Sequence, residues 1–162
     1  MHKKISYGGI GTAICIILIY LAVYLPTGKA ALVFASSLLV YIMCYEIDKK
    51  TAFTMYLASS VLAFLLLLGA SPVIVSSYII CFGNYPLLKT FFDTKRPYLQ
   101  VLYKFMMYTL YFASVYAAAK LAFNLTLPYA LPLLYIGGIA VFGFYDWLLS
   151  QIGRYAYSLL HK

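Results

Sequence analysis

The chain reads as an all-α integral membrane protein, a six-transmembrane-helix bundle with both termini in the cytoplasm. Three observations predict this. Hydrophobic residues make up 65% of the 162 residues and charged residues 10%, against roughly 45–50% and 25% in an average soluble domain. Apolar stretches of spanning length follow one another with short polar gaps between them. The basic residues fall in alternate gaps.

A helix rising about 1.5 Å per residue needs about 20 apolar residues to cross a hydrocarbon core of roughly 30 Å. The first span is expected over residues 8–25 and stops at Pro26-Thr27-Gly28, where proline cannot continue the helix and glycine relaxes the backbone. Lys3 and Lys4 precede it, yet the apolar stretch is longer than a secretory signal core, so it reads as an uncleaved first helix. The second span covers 30–45, and Glu46, Asp48, Lys49 and Lys50 form a charged connection to the third, 51–68. Gly69-Ala70-Ser71-Pro72 closes the third span. The fourth is expected over 73–92, because its apolar part is too short to cross unless it continues through Gly83-Asn84-Tyr85-Pro86. Asp93 to Pro97 reads as a loop, the fifth span covers 98–123, Asn124 to Pro128 is a turn, and the sixth span covers 130–150. All of this forms one membrane domain, 1–162.

Orientation follows from lysine and arginine, which are retained on the cytoplasmic side near helix ends. With both termini inside, ten of the twelve basic residues are cytoplasmic: Lys3, Lys4, Lys49, Lys50, Lys89, Lys95, Arg96, Lys104, Arg154 and Lys162; only Lys29 and Lys120 lie outside. An odd number of spans would scramble this segregation. The net charge of +8 is accounted for by topology and anionic lipid headgroups, so the expected partners include the lipid bilayer of the plasma membrane and exclude nucleic acid. Cys15, Cys44 and Cys81 lie inside spans without CxxC spacing and read as packing residues, giving neither a disulfide framework nor a metal site.

Polar groups inside the spans are the candidate functional residues. Ser36-Ser37, Ser59-Ser60 and Ser76-Ser77 either hydrogen-bond between helices or line a cavity open to the outside. Of the eighteen tyrosines, Tyr56, Tyr108, Tyr111, Tyr116 and Tyr135 lie deep, and their hydroxyls need partners. Phe105, Tyr108, Phe112 and Tyr116 recur at helical spacing and form either a packing stripe or a stacking wall for a planar ligand. Gly9-xxx-Ala13 makes a flat face on the first helix that suits another helix. Asp146 is the one carboxylate inside a span, with Lys104 or Arg154 as its expected partner in an ion pair or a coupling site.

Catalysis finds little support in these residues. Lys89 and Arg96-Pro97 match part of the type-2 phosphatidic acid phosphatase pattern, but that chemistry needs two histidines, and His2 and His161 sit at the chain ends. No phosphate-binding or dinucleotide glycine motif is present, so neither a catalytic residue nor a cofactor is expected, and the chain reads as a non-enzyme.

The bundle resembles the S components of energy-coupling-factor transporters and the small six-helix membrane proteins of Gram-positive bacteria similar to them. Leu25-Pro26-Thr27-Gly28, Phe82-Gly83-Asn84-Tyr85-Pro86 and Tyr145-Asp146 carry the resemblance. It implies capture of a small, vitamin-like molecule from outside, beneath the Thr27 and Gly69-Ala70-Ser71 loops, in a site built from the serine pairs, Tyr108, Phe112 and Tyr116. It also implies docking through Gly9 and Ala13, with glycine replacing the usual first alanine, on a transmembrane coupling subunit whose separate ATPases supply energy. A membrane scaffold without a cavity and a lipid-modifying enzyme built on Lys89, Arg96 and Asp146 are the alternatives.

Overall fold

The computed structural model describes residues 2–92, 97–123 and 131–160, all but a few of them helical. The elements are α1 (His2–Tyr24), α2 (Lys29–Glu46), α3 (Lys49–Leu67), α4 (Pro72–Ser77), a π-helical segment (Tyr78–Phe82), α5 (Asn84–Phe92), α6 (Pro97–Phe123) and α7 (Leu131–Leu160). No strand occurs among the described residues. Among the described residues three helices are long and apolar enough to cross a membrane: Ser6–Tyr24, Lys29–Glu46 and Lys49–Leu67. Of the expected loop from Asp93 to Pro97, residues 93–96 lie outside the described residues and Pro97 opens α6; the turn expected from Asn124 to Pro128 also lies outside them.

Local chemistry sets the helix limits. Pro26 follows the end of α1, and Gly28 takes φ 76°, the left-handed region that favours glycine, at the N-terminal boundary of α2. Asp48 caps α3 by accepting the Thr51 backbone N–H at 2.6 Å. The charged connection expected there is therefore only two residues long, because Lys49 and Lys50 already belong to α3. Pro72 occupies the first turn of α4, where its missing N–H costs nothing.

The stretch expected as a fourth span is one broken helix. A proline inside a helix removes its own N–H and clashes with the carbonyl four residues earlier, which for Pro86 is that of Phe82. The backbone answers with a wider turn just before it: the Gly83 N–H reaches back five residues to the Tyr78 carbonyl at 2.8 Å. The Ile79 carbonyl, released from its usual partner, accepts the Tyr56 hydroxyl at 2.7 Å. Gly83 is required here because a Cβ would stand 2.7 Å from the Tyr56 ring.

Packing divides into three clusters. Ile19, Ala22, Val33, Ala63, Leu67, Val75 and Tyr78 join α1 to α4 at one end. Cys15, Val40, Cys44, Ala52, Met55, Tyr56 and Leu87 join α1, α2, α3 and α5. Tyr41, Tyr85, Tyr103, Met107, Tyr111, Tyr145 and Leu149 join α2, α5, α6 and α7. Outward faces remain apolar, with Leu65, Val101, Leu133 and Val141 each about 70% exposed or more. A surface of this kind suits hydrocarbon and not water.

Candidate functional site

The charged residues of the interior converge on Asp146. It stands on α7 one helical turn beyond Phe142 and two beyond Gly138, so all three share a face. Its Oδ1 accepts the ammonium of Lys89 on α5 and, at 2.6 Å, the hydroxyl of Tyr85 on the same helix. Its Oδ2 accepts the Lys104 ammonium from α6 at 2.6 Å. Lys89 is 1% exposed, Asp146 13% and Lys104 32%, so a dry pair is flanked by a cation that reaches the surface. One carboxylate thus ties three helices together. Arg154 takes no part: its exposed side chain donates to the Ser150 carbonyl one turn back, at 3.3 Å, because helical spacing brings that carbonyl closer than Asp146.

Tyr145, the next residue back, is boxed by rings. Phe34 and Phe82 meet it edge-on at 5.3 Å, and Tyr85 lies 5.6 Å away. Its hydroxyl pairs with that of Ser37 at 2.5 Å. Above this box a groove of about 520 Å³ runs along α7, lined by Phe82, Leu133, Gly137, Gly138, Val141, Phe142 and Tyr145. The two glycines make it concave for different reasons. A Cβ on Gly138 would strike the Tyr108 hydroxyl, whereas one on Gly137 meets nothing within 4 Å.

The serine pairs lie elsewhere. Ser36 donates to the Val33 carbonyl at 2.7 Å and Ser59 to that of Tyr56 at 3.0 Å while pairing with the Tyr78 hydroxyl at 2.7 Å. Ser76 and Ser77 donate back to Pro72 and Val73 carbonyls within α4. Ser60 is buried. Apart from Ser37, which supports Tyr145, and Ser60, whose buried hydroxyl has no hydrogen-bond partner among the described residues, these hydroxyls are engaged within or between helices, and none lines the α7 groove. Thr27 is exposed in the α1–α2 connection.

The aromatic stripe on α6 separates in the same way. Tyr108 is buried, donates to the Tyr135 carbonyl at 2.6 Å and packs on Phe112 and Phe142. Phe105 points outward at 56% exposure, and Tyr116 is half-buried. Tyr135 pairs with Thr109 at 2.9 Å. The Tyr111 hydroxyl is buried without a partner among the described residues. Gly9 and Ala13 are exposed on α1, and nothing stands within 4 Å of a Cβ on Gly9. Cys15 and Cys44 are buried, Cys81 is partly so, and all three are free thiols.

Sequence reasoning joins Lys89 to Asp146 only in the lipid-modifying alternative, not as the ion-pair partner, and gives Tyr85 no role beyond the Phe82-to-Pro86 segment. A signal existed: Lys89 interrupts an otherwise apolar stretch just as Asp146 does, and opposite charges buried within spans pair with one another. Arg96, the other half of the phosphatase-like spacing, lies outside the described residues. Compared with family models, curated proteins and solved structures, the chain shows no match.

Proposed function

We propose that this chain is a non-catalytic binding subunit of the plasma membrane, crossing it six times with both termini cytoplasmic. It captures a small, mainly apolar molecule and works with a separate coupling subunit and ATPases, as the resemblance to S components implies. The observation that carries this reading is the groove along α7. Its 520 Å³ lies within the roughly 300–1,000 Å³ of ligand pockets, and its carbon-rich lining with one tyrosine hydroxyl matches their usual composition. The binding place therefore moves from the serine pairs to Phe82, Gly137, Gly138, Phe142 and Tyr145. The exposed Gly9 and Ala13 leave α1 free to receive another helix.

The test is affinity purification in mild detergent, followed by native mass spectrometry for bound small molecules and copurifying ATPase subunits. Gly137→Phe fills open space in the groove and is expected to remove the bound molecule. Gly9→Leu is expected to remove the ATPases while leaving the molecule in place. Recovery of neither from the unaltered protein overturns the transport reading.

A second reading, a membrane scaffold, is favoured by the internal use of the serine hydroxyls. It predicts a copurifying partner whose recovery is indifferent to Gly137→Phe.

A further inference from the structure

On α6 a cation interrupts a surface suited to hydrocarbon. Val101, Leu102, Phe105, Met106 and Leu110 are each more than half exposed, and their spacing sets them in one outward strip along the helix. From Val101 to Leu110 the strip runs about 14 Å. Lys104 stands at its edge, directly before Phe105 and one turn beyond Val101, with its side chain 32% exposed. Helical side chains lean toward the N-terminus of their own helix, which carries Lys104 back over the turn of Val101 toward Pro97, where α6 begins. That end is seven residues away, about 10 Å, a depth from which a lysine near a helix end reaches headgroups.

The interior does not use up this cation. Asp146 Oδ1 already accepts Lys89 and Tyr85, and Oδ2 accepts one N–H from Lys104. An ammonium has three donors, and the other two of Lys104 meet no acceptor among the described residues. At a hydrocarbon surface such a group is costly until an anion completes it. A free anion would supply charge alone and leave the strip unanswered, whereas a phospholipid brings a phosphate and acyl chains together. We propose that Lys104 anchors a site for one anionic phospholipid, whose phosphate takes the two remaining donors and whose chains lie on the strip from Phe105 to Leu110. Consecutive residues of a single helix join head to chain. Asp146 is the brace: by holding one donor it fixes the ammonium at the edge of the strip. The site is separate from the α7 groove and rests on the reading of α6 as a membrane-crossing helix.

The full chain, released from neutral detergent in a native mass spectrometer, is titrated separately with dioleoyl phosphatidylglycerol, dioleoyl phosphatidylcholine and glycerol phosphate. Phosphatidylglycerol is expected to bind at least about tenfold more tightly than either of the others. Lys104→Gln, which leaves the Lys89–Asp146–Tyr85 contacts in place, is expected to bring it down to the level of phosphatidylcholine. Lys104→Arg is expected to keep the preference, and so is Lys50→Gln, which removes an exposed cation at the start of α3. Equal binding of the two phospholipids overturns the anionic head while leaving α6 as a lipid-facing helix. A preference that survives Lys104→Gln, or that falls as far with Lys50→Gln, shows diffuse attraction to basic residues and also overturns the site. Glycerol phosphate held as tightly as phosphatidylglycerol shows an anion site without a chain and overturns the phospholipid. Retention of neither phospholipid removes the reading of the strip as a lipid-facing surface. The three probes on the unaltered chain decide among these outcomes whether or not a variant folds.

Discussion

The two ends of the chain are held together by different chemistry. Around α1, α2 and α3 the buried residues are aliphatic and small, with Ala22, Ala52 and Ala63 fully buried, and two tyrosines in the two clusters, Tyr56 and Tyr78. Around α5, α6 and α7 five of the seven cluster residues are tyrosines, and a buried ion pair stands beside them. Aliphatic packing is non-directional and tolerates exchange of similar volumes. Hydroxyls and charges must each find a partner in a specific place. The first region therefore supplies a robust frame, and the second holds groups whose arrangement is both fragile and chemically specific, which is where a ligand can be recognised.

The sharpest way to break this contrast is Asp146→Asn. It leaves Lys89, 1% exposed, without its carboxylate, and loss of one partner of a buried pair costs about 3–5 kcal/mol. Unfolding in detergent should show that loss, and adding Lys89→Met should recover most of it. An unchanged midpoint in the single variant means that charge does not organise this half. A smaller effect is expected at the seam between the regions. Gly83→Ala pushes a methyl group against the Tyr56 ring and should cost about 1–3 kcal/mol, the usual range for overpacking, also read as a shift in the unfolding midpoint. The smallest belongs to the first region: Asp48→Ala removes the α3 cap and should cost about 1 kcal/mol, seen as faster hydrogen exchange at Thr51 with no change in groove occupancy.

The same contrast governs what could be read from the sequence. α2 and α3 run from Lys29 to Glu46 and from Lys49 to Leu67, within two residues of the limits read from hydropathy, because Gly28, Asp48 and the Gly69-Ala70-Ser71-Pro72 turn are local signals. In the serine pairs adjacent residues lie about 100° apart on a helix, so the two members point in different directions, and Ser36, Ser59, Ser76 and Ser77 each donate to a carbonyl three or four residues back. Lys104 was visible as a partner of Asp146 because both fall at one level in neighbouring helices. Lys89 entered only through the lipid-modifying alternative, since its place depends on how the backbone turns at Gly83, which hydropathy does not record. The groove was equally hidden: Gly137 and Gly138 look alike in sequence, and only the position of Tyr108 tells the open one from the filled one.

The wide turn at Tyr78–Phe82 has one more consequence. By fitting an extra residue into a single turn, it changes the angular phase of everything after it by about 100° relative to an unbroken α-helix. Lys89 faces the bundle centre only with that offset. A sequence shortened by one residue in this segment could close an ordinary α-helical turn and still present its lysine to Asp146, whereas the full-length segment wound as an unbroken α-helix would carry that lysine about 100° away.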